Sequence, residues 1–238
     1  ALGYSALENN IASNNTAVGY KTLEANTTGT KNIAVGANSL DANTTGNYNI
    51  AIGYAALNAN TTASNNSAFG YCALVSNTTG HSNVAVGYNA SYAITTGYSN
   101  TVMGYQAMNN GTTYRHSAAF GYQALYNNTT GHYNTALGNQ ALIANTTAES
   151  NVAVGHQALY SNTTVSYLTA VGQSALYSNT TGTLSTAVGS SALYSQTTGI
   201  QNTAVGAAAA DAVTTGGNHV AVGYAALTAV SYTHLTLP

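Results

Sequence analysis

The chain of 238 residues contains only three Lys or Arg and five Asp or Glu residues, whereas 24 residues are glycine and 19 are tyrosine. This scarcity of charge excludes a basic surface for nucleic acid, and the longest apolar runs are too short to span a membrane. Cys72 is the single cysteine, which excludes a disulfide framework. A surface of Asn, Thr, Ser, Gly and Tyr is typical of an extracellular fibre rather than of a cytosolic enzyme.

A glycine returns every 17 residues along the chain without an insertion. This period indicates an array in which each repeat stacks on the one before, and it is too short for the helix pairs of the common helical arrays. We therefore predict an all-β fold, a parallel β-solenoid (β-roll) of about 14 coils, with equivalent glycines roughly 4.8 Å apart. The glycines are Gly3, which is one residue out of register, and Gly19, Gly36, Gly53, Gly70, Gly87, Gly104, Gly121, Gly138, Gly155, Gly172, Gly189, Gly206 and Gly223.

Each repeat contains the same elements in chain order. A segment such as Asn-Thr-Ala-Val predicts a strand, and the glycine follows it at the first corner. A second segment, such as Tyr-Gln-Ala-Leu-Tyr, predicts a second strand, and Asn-Thr-Thr-Gly predicts the second corner. The glycine meets one of two requirements: a positive φ at the corner, or a close approach of the neighbouring backbone.

Two apolar pairs, Ala-Val before the glycine and Ala-Leu after it, determine the expected core. Neighbouring residues in a strand face opposite sides, so we assign the Val and Leu columns, with Val86, Val154 and Leu159 as examples, to the core. These residues and the glycines, among them Gly53, Gly70 and Gly87, form the expected structural ladder. The alanine columns would then face another protomer. The alternative is a thin coil in which a corner turns both members of a pair inward.

Asn-Thr-Thr occurs in eight repeats and matches the acceptor pattern for N-glycosylation. Asparagine also favours turns because it tolerates left-handed backbone and bonds to its own main chain. The repeats with Ile94, Gly111, Gln196 and Val213 keep Thr-Thr but lose the acceptor pattern. We therefore interpret the motif as a turn. The eight asparagines are Asn26, Asn43, Asn60, Asn77, Asn128, Asn145, Asn162 and Asn179.

Tyrosine is the candidate recognition residue. One column follows the glycine directly, and a second lies four residues further along the repeat. Aromatic stripes of this kind stack on sugars or pack against partners, and a tyrosine ladder can equally brace the strands. The candidate residues are Tyr54, Tyr71, Tyr88, Tyr105 and Tyr122 in the first column, and Tyr160, Tyr177 and Tyr194 in the second.

The columns contain no grouping that predicts catalysis, a cofactor or a metal. His81 and His132 share a column but lie three coils apart, roughly 14 Å along the axis, so we interpret the histidines as scattered surface residues. Glu8, Glu24 and Asp41 occupy equivalent positions of the first three coils. We interpret these carboxylates as a solvated charge cluster, with weak cation binding as the alternative.

The last residues, Val230 to Pro238, depart from the repeat and resemble a translated sequencing adapter, as found at the ends of metagenomic reads. We predict that residues 230–238 are a non-native tail and that residues 1–229 are one repeat domain, a fragment truncated at both ends. Unpaired strand edges at both ends would favour end-to-end pairing.

The core motif, as in Asn83-Val84-Ala85-Val86-Gly87, resembles the head repeats of trimeric autotransporter adhesins. The longer unit, as in Asn134 to Leu142, is similar to repeats of bacterial and phage tail-fibre-domain proteins. The resemblance implies a left-handed β-roll that packs as a trimer.

We therefore expect a structural and adhesive fibre without catalysis, in a bacterial surface adhesin or a phage tail fibre. Its location would be extracellular, at the cell surface or on a virion. Its expected partners are other copies of itself, in a lateral trimer or end to end, and a host-surface glycan or protein, with no nucleic acid and no membrane contact. The alternative is an ice-binding solenoid that uses the Thr-Thr ladder.

Overall fold

The computed structural model of the protein describes residues 1–228, and the expected non-native tail at 230–238 lies outside the described residues. These residues contain no helix and form one parallel sheet of thirteen strands in chain order. The all-β parallel solenoid is thus confirmed. The strands are β1 (Thr16–Val18), β2 (Ile33–Val35), β3 (Ile50–Ile52), β4 (Ser67–Phe69), β5 (Val84–Val86), β6 (Thr101–Met103), β7 (Ala118–Phe120), β8 (Thr135–Leu137), β9 (Val152–Val154), β10 (Thr169–Val171), β11 (Thr186–Val188), β12 (Thr203–Val205) and β13 (Val220–Val222).

The register between neighbouring coils is 17 residues from β1 to β13. Between β5 and β6, for example, Val84 pairs with Thr101 and Val86 pairs with Met103. The first repeat contributes only an isolated parallel bridge, from Leu2 to Val18, so thirteen coils carry a strand rather than about fourteen. Identical columns therefore stack along the axis, as the period predicts.

The coil has one strand, and the prediction of a second was wrong. The Tyr-Gln-Ala-Leu segment is a turn in which the second and fourth residues have left-handed backbone, with φ of 52° at Gln123 and 53° at Leu125. Both residues remain paired between coils, because Gln123 N donates to Tyr105 O and Leu125 N donates to Ala141 O, each at 3.0 Å. The left-handed residues turn Ala124 and Leu125 inward together, which an extended strand cannot do.

The core assignment of the Ala-Val pair was also wrong. The central residue of each strand points inward, so Ala85 is fully buried while Val86 and Val154 are only half-buried. Leu159 is fully buried, as expected. The assignment of the alanine columns to a surface that faces another protomer is wrong as well, because these alanines are buried inside the coil. The Leu and Asn columns also point into this interior, and the strand side contributes an alanine in every strand except β6, where Val102 is fully buried.

The interior also contains an asparagine ladder, formed by the asparagines four residues before the glycines and interrupted at Ser117, Leu168, Ser185 and His219. Asn66 is fully buried, and its Nδ2 donates to Gly80 O at 2.8 Å. Its Oδ1 accepts a hydrogen bond from Asn83 N at 3.0 Å, and its own N–H donates to Asn49 Oδ1 at 3.0 Å. Each amide side chain thus satisfies backbone groups of its own coil and of the next one.

The Asn-Thr-Thr asparagines form a second buried ladder. Asn43 is fully buried, and its Nδ2 donates to Asn26 Oδ1 at 2.7 Å and to Gly46 O at 3.2 Å. The amide nitrogen that a glycan would modify is therefore inaccessible in the folded rod. This geometry supports the turn interpretation of the motif. The Oδ1 of Asn77 has no hydrogen-bond partner, and the equivalent position of the next coil is Ile94.

Both proposed reasons for the glycine column apply. The φ of Gly104 is +141°, in the region that L side chains rarely adopt. An ideal Cβ on Gly104 would also lie only 2.7 Å from the carbonyl carbon of Gly121 in the next coil. The column therefore requires glycine for its own backbone geometry and for the stacking of coils.

Candidate functional site

Five successive coils, from Tyr54 to Tyr122, each place a tyrosine directly after the glycine, and these five rings form an unbroken stack on the surface. The centroid separations from Tyr54 to Tyr122 lie between 5.1 and 5.5 Å, and the interplanar angles between 8° and 17°. About half of each side chain is exposed. The rings cover one another's faces, so the stack presents ring edges and hydroxyls to solvent. A free ring face remains only at its two ends, beside Ala37 and Asn139.

The second tyrosine column forms a shorter stack of the same kind. Tyr160 and Tyr177 have centroids 4.9 Å apart, and Tyr177 and Tyr194 are 5.1 Å apart. Burial raises the pKa of the Tyr177 hydroxyl, and the two neighbouring tyrosines add to the effect. Tyr194 lines a shallow depression with Ser191 and Asp211. The structure thus assembles both groups of candidate tyrosines, each along a single line of the rod.

Replacing Tyr88 by alanine should destabilise the rod by about 1–3 kcal/mol, because it removes two ring contacts worth about 0.5–1.5 kcal/mol each. Thermal unfolding followed by circular dichroism measures the effect. Tyr224→Ala is the matched control, since Tyr224 is in the same column, is 84% exposed, and follows a coil with Ala207 at that position. Equal losses in the two variants would contradict a bracing role for the stack.

The Thr-Thr corner is confirmed as a bend, and its two threonines differ in role. The first one braces neighbouring coils, because Thr44 Oγ1 donates to Thr61 O at 3.0 Å. The second one is exposed in every repeat that has the pair, from Thr28 to Thr215. The corner therefore presents a single file of outward hydroxyl-bearing side chains.

One of the acidic residues near the start of the rod, Glu24, forms an ion pair with Lys21. Lys21 Nζ lies 3.0 Å from Glu24 Oε2. Burial, followed by the charge of Glu24, raises the pKa of the Asp41 carboxyl above its ordinary value of 3.8. Within residues 1–228, no three His, Cys, Asp or Glu side chains are grouped closely enough to hold a metal.

The raised pKa of Asp41 predicts a pH-dependent stability. Because folding favours the protonated carboxyl, the native state binds more protons than the unfolded state, and stability falls as pH rises from 3.8 through the higher folded-state pKa. Asp41→Asn should therefore melt at a higher temperature than the parent protein at pH 7. At pH 3 the two proteins should melt alike, because Asp41 is then protonated in both states. A difference that persists at pH 3 would contradict this assignment.

Cys72 and the histidines complete the set of reactive side chains. Cys72 is a buried free cysteine, and burial raises the pKa of its thiol, which disfavours the reactive thiolate. The histidines are less scattered than the sequence suggests. His116 stacks on Tyr133 at 5.2 Å, and His132 meets the same ring edge-on at 6.3 Å. Nothing in the 17-residue period predicted this grouping, because His116 and His132 occupy adjacent columns.

The outer face of the sheet carries an apolar stripe that remains partly exposed in the single chain. We define the outer apolar column as the residues directly before the glycines. Ile52 is 39% exposed, Met103 46% and Leu137 40%. None of the eight charged residues falls in this column. The column comprises Val18, Val35, Ile52, Phe69, Val86, Met103, Phe120, Leu137, Val154, Val171, Val188, Val205 and Val222.

The comparisons with known proteins add no assignment. The sequence matches no family model, and no curated protein or solved structure is significantly similar to it. None of the described residues forms a helix that could cross a membrane.

Proposed function

We propose that the protein is a structural and adhesive segment of an extracellular fibre, in a bacterial surface adhesin or a phage tail fibre, without catalysis. It would act at the cell surface or on a virion and would associate with copies of itself. A host-surface glycan or protein would be its other partner. The outer apolar column, which runs along an almost uncharged rod, is the observation that carries this proposal.

The dimensions of this face suit self-association. Thirteen coils at about 4.8 Å per coil give a stripe roughly 60 Å long, and three residues across a strand with their side chains give a width of roughly 10 Å. Two such faces would bury on the order of 1,200 Å² together, which is the lower limit of stable interfaces. Since charged residues are absent from the column, no like-charge repulsion opposes the contact.

The structure changes which surface would join the protomers. The alanine column is buried inside the coil, so it cannot face a second protomer as the sequence predicted. The outer apolar column takes that place in our proposal. The outer apolar column runs the length of the rod, so neighbouring rods can contact one another side by side along it. Such contacts would suit the trimer that the adhesin resemblance implies.

Light scattering on the purified protein at several concentrations tests the proposal. We expect a species larger than 24 kDa whose mass rises with concentration, which either lateral or end-to-end pairing would produce. A monodisperse 24 kDa species at every concentration would contradict both forms of association.

The exposed file of second threonines favours one alternative function, ice binding. Those side chains repeat once per coil from Thr28 to Thr215 and all face solvent. Their position at a bend, rather than on the flat sheet, makes this the second candidate. Thermal hysteresis of the purified rod, lost when Thr79, Thr96 and Thr130 are replaced by lysine, would favour ice binding over the adhesive fibre.

A further inference from the structure

Residues 91–117 depart from the repeat at several buried positions. Ile94 and Gly111 replace the inward asparagine, and Tyr114 replaces the small residue three positions after Gly111. Tyr114 is fully buried, and its hydroxyl donates to Met108 O at 3.1 Å. A Cβ added to Gly111 would overlap the Tyr114 ring. These two substitutions are therefore matched, and they create a large buried anchor directly before Arg115.

Arg115 is the only arginine of the chain, and within the described residues it forms no ion pair with a carboxylate. In residues 1–228 the ion pair is Lys21 with Glu24, far from Arg115 in sequence. The guanidinium lies over the Tyr98 ring at 5.9 Å, and Nη1 donates one long hydrogen bond, 3.5 Å, to the Tyr98 hydroxyl. An arginine has five N–H donors, so the described structure leaves most of them without a protein acceptor.

Two histidines flank Arg115. His116 follows it in the chain, and its ring meets Tyr98 edge-on at 5.2 Å and stacks on Tyr133 at 5.2 Å. His132 occupies the same column as Arg115 in the next coil, and its Nδ1 has no protein hydrogen-bond partner. The side face of the rod thus holds three nitrogen-bearing side chains supported by two tyrosine rings.

We propose that Arg115, His116 and His132 bind an anionic group, a carboxylate or a sulfate, of an acidic polysaccharide. Residues of one column in adjacent coils are about 4.8 Å apart, so one anion at the rod surface lies within reach of both the Arg115 guanidinium and the His132 ring. Tyr133, which is 51% exposed and is stacked with His116, supplies apolar ring surface for the sugar beside it. This inference deepens the adhesive half of the proposed function and depends on it for its biological setting.

The charges around the site predict how binding responds to pH. Burial lowers the pKa of His132, and Arg115 and His116 lower it further, whereas Glu149 in the next coil of the same column raises it. A bound anion would raise the pKa of His132 by stabilising its charged form. Binding should therefore tighten as pH falls below about 6.5, the ordinary histidine value, and Glu149 should oppose it.

Calorimetric titration of the full chain tests the site with oligogalacturonate as the carboxylate probe and sulfated dextran as the sulfate probe, against neutral dextran. The acidic probe that binds more tightly identifies the anion. Arg115→Gln should weaken binding about tenfold, equivalent to about 1.4 kcal/mol. Lys31→Gln is the matched control, because it also removes one cation that lies over a tyrosine, Tyr48, but elsewhere on the rod. Glu149→Gln should tighten binding by about two- to threefold.

The same titration defines the contrary outcomes. The proposal is overturned if neither acidic probe binds, if neutral dextran binds equally well, or if Arg115→Gln and Lys31→Gln have equal effects. Equal affinity for polyglutamate would overturn the carbohydrate assignment in favour of an acidic protein.

Nuclear magnetic resonance titration of the histidine rings gives a second readout, an increase in the pKa of His132 on binding. Sedimentation of Arg115→Gln should match that of the parent protein, so failure at this site is distinguishable from failure of fibre assembly.

Discussion

Replacing Gly104 by alanine is expected to destabilise the rod by roughly 2–6 kcal/mol. Backbone strain in the left-handed region costs about 1–3 kcal/mol, and displacing the neighbouring coil costs about another 1–3 kcal/mol. The φ of Gly104 is +141°, and the added Cβ would press on the backbone of Gly121. Thermal unfolding measures the total loss of stability. Hydrogen exchange of the backbone amides in residues 87–138 shows which coils are destabilised.

Gly223→Ala separates the two contributions. Gly223 has a similar φ, +122°, but an added Cβ meets nothing within 4 Å. This variant should therefore show strain alone, confined to the last described coil, and its melting temperature should change little. If the two variants lose the same stability, then coil stacking does not explain the glycine column.

Asn66→Ala is expected to destabilise the rod by about 2–4 kcal/mol. The change leaves Asn83 N–H without its partner inside the core, which costs about 1–3 kcal/mol, and removes one of the two side-chain hydrogen bonds to Gly80 O, which costs about 1 kcal/mol. Asn66→Ser should be milder, because the Ser117 hydroxyl in the same column accepts a hydrogen bond from Asn134 N at 3.2 Å. Thermal unfolding of both variants gives the comparison.

Asn139→Ala is the control for the asparagine ladder. Asn139 is exposed and lies one residue after a glycine, so its removal should change stability by no more than about 0.5 kcal/mol. An Asn66→Ala protein as stable as Asn139→Ala would show that the ladder contributes nothing to stability.

The 17-residue period predicted the fold and the register, because every coil requires a glycine at the same position, that of Gly87 and its equivalents. Which member of the Ala-Val pair points inward could not be predicted, since both residues are apolar and alternation suits either orientation. The missing second strand has a different cause. Gln123 and Leu125 adopt left-handed backbone despite weak intrinsic preference, because pairing with both neighbouring coils fixes their geometry.

The buried asparagines and the Arg115 site also escaped sequence reasoning, for different reasons. Asparagine is usually exposed and was counted among the surface residues, although Asn66 and its equivalents recur nearly as regularly as the apolar columns. Arg115 and His116 lie outside the repeat consensus, and His132 shares its column only with a histidine three coils away, His81. The sequence carries one signal near these residues, because Gly111 and Tyr114 both depart from the repeat consensus. Only the structure shows that Gly111 and Tyr114 contact each other in the core.

Sedimentation equilibrium of a doubly substituted rod tests the central claim, that the outer apolar column joins the protomers. Phe69→Lys with Phe120→Lys places two charges in that column, and Thr79→Lys with Thr130→Lys places the same charges at exposed corners of the same coils. We expect the phenylalanine variant to sediment as a 24 kDa monomer while the parent protein and the threonine variant remain associated. Equal masses for all three proteins would contradict the claim.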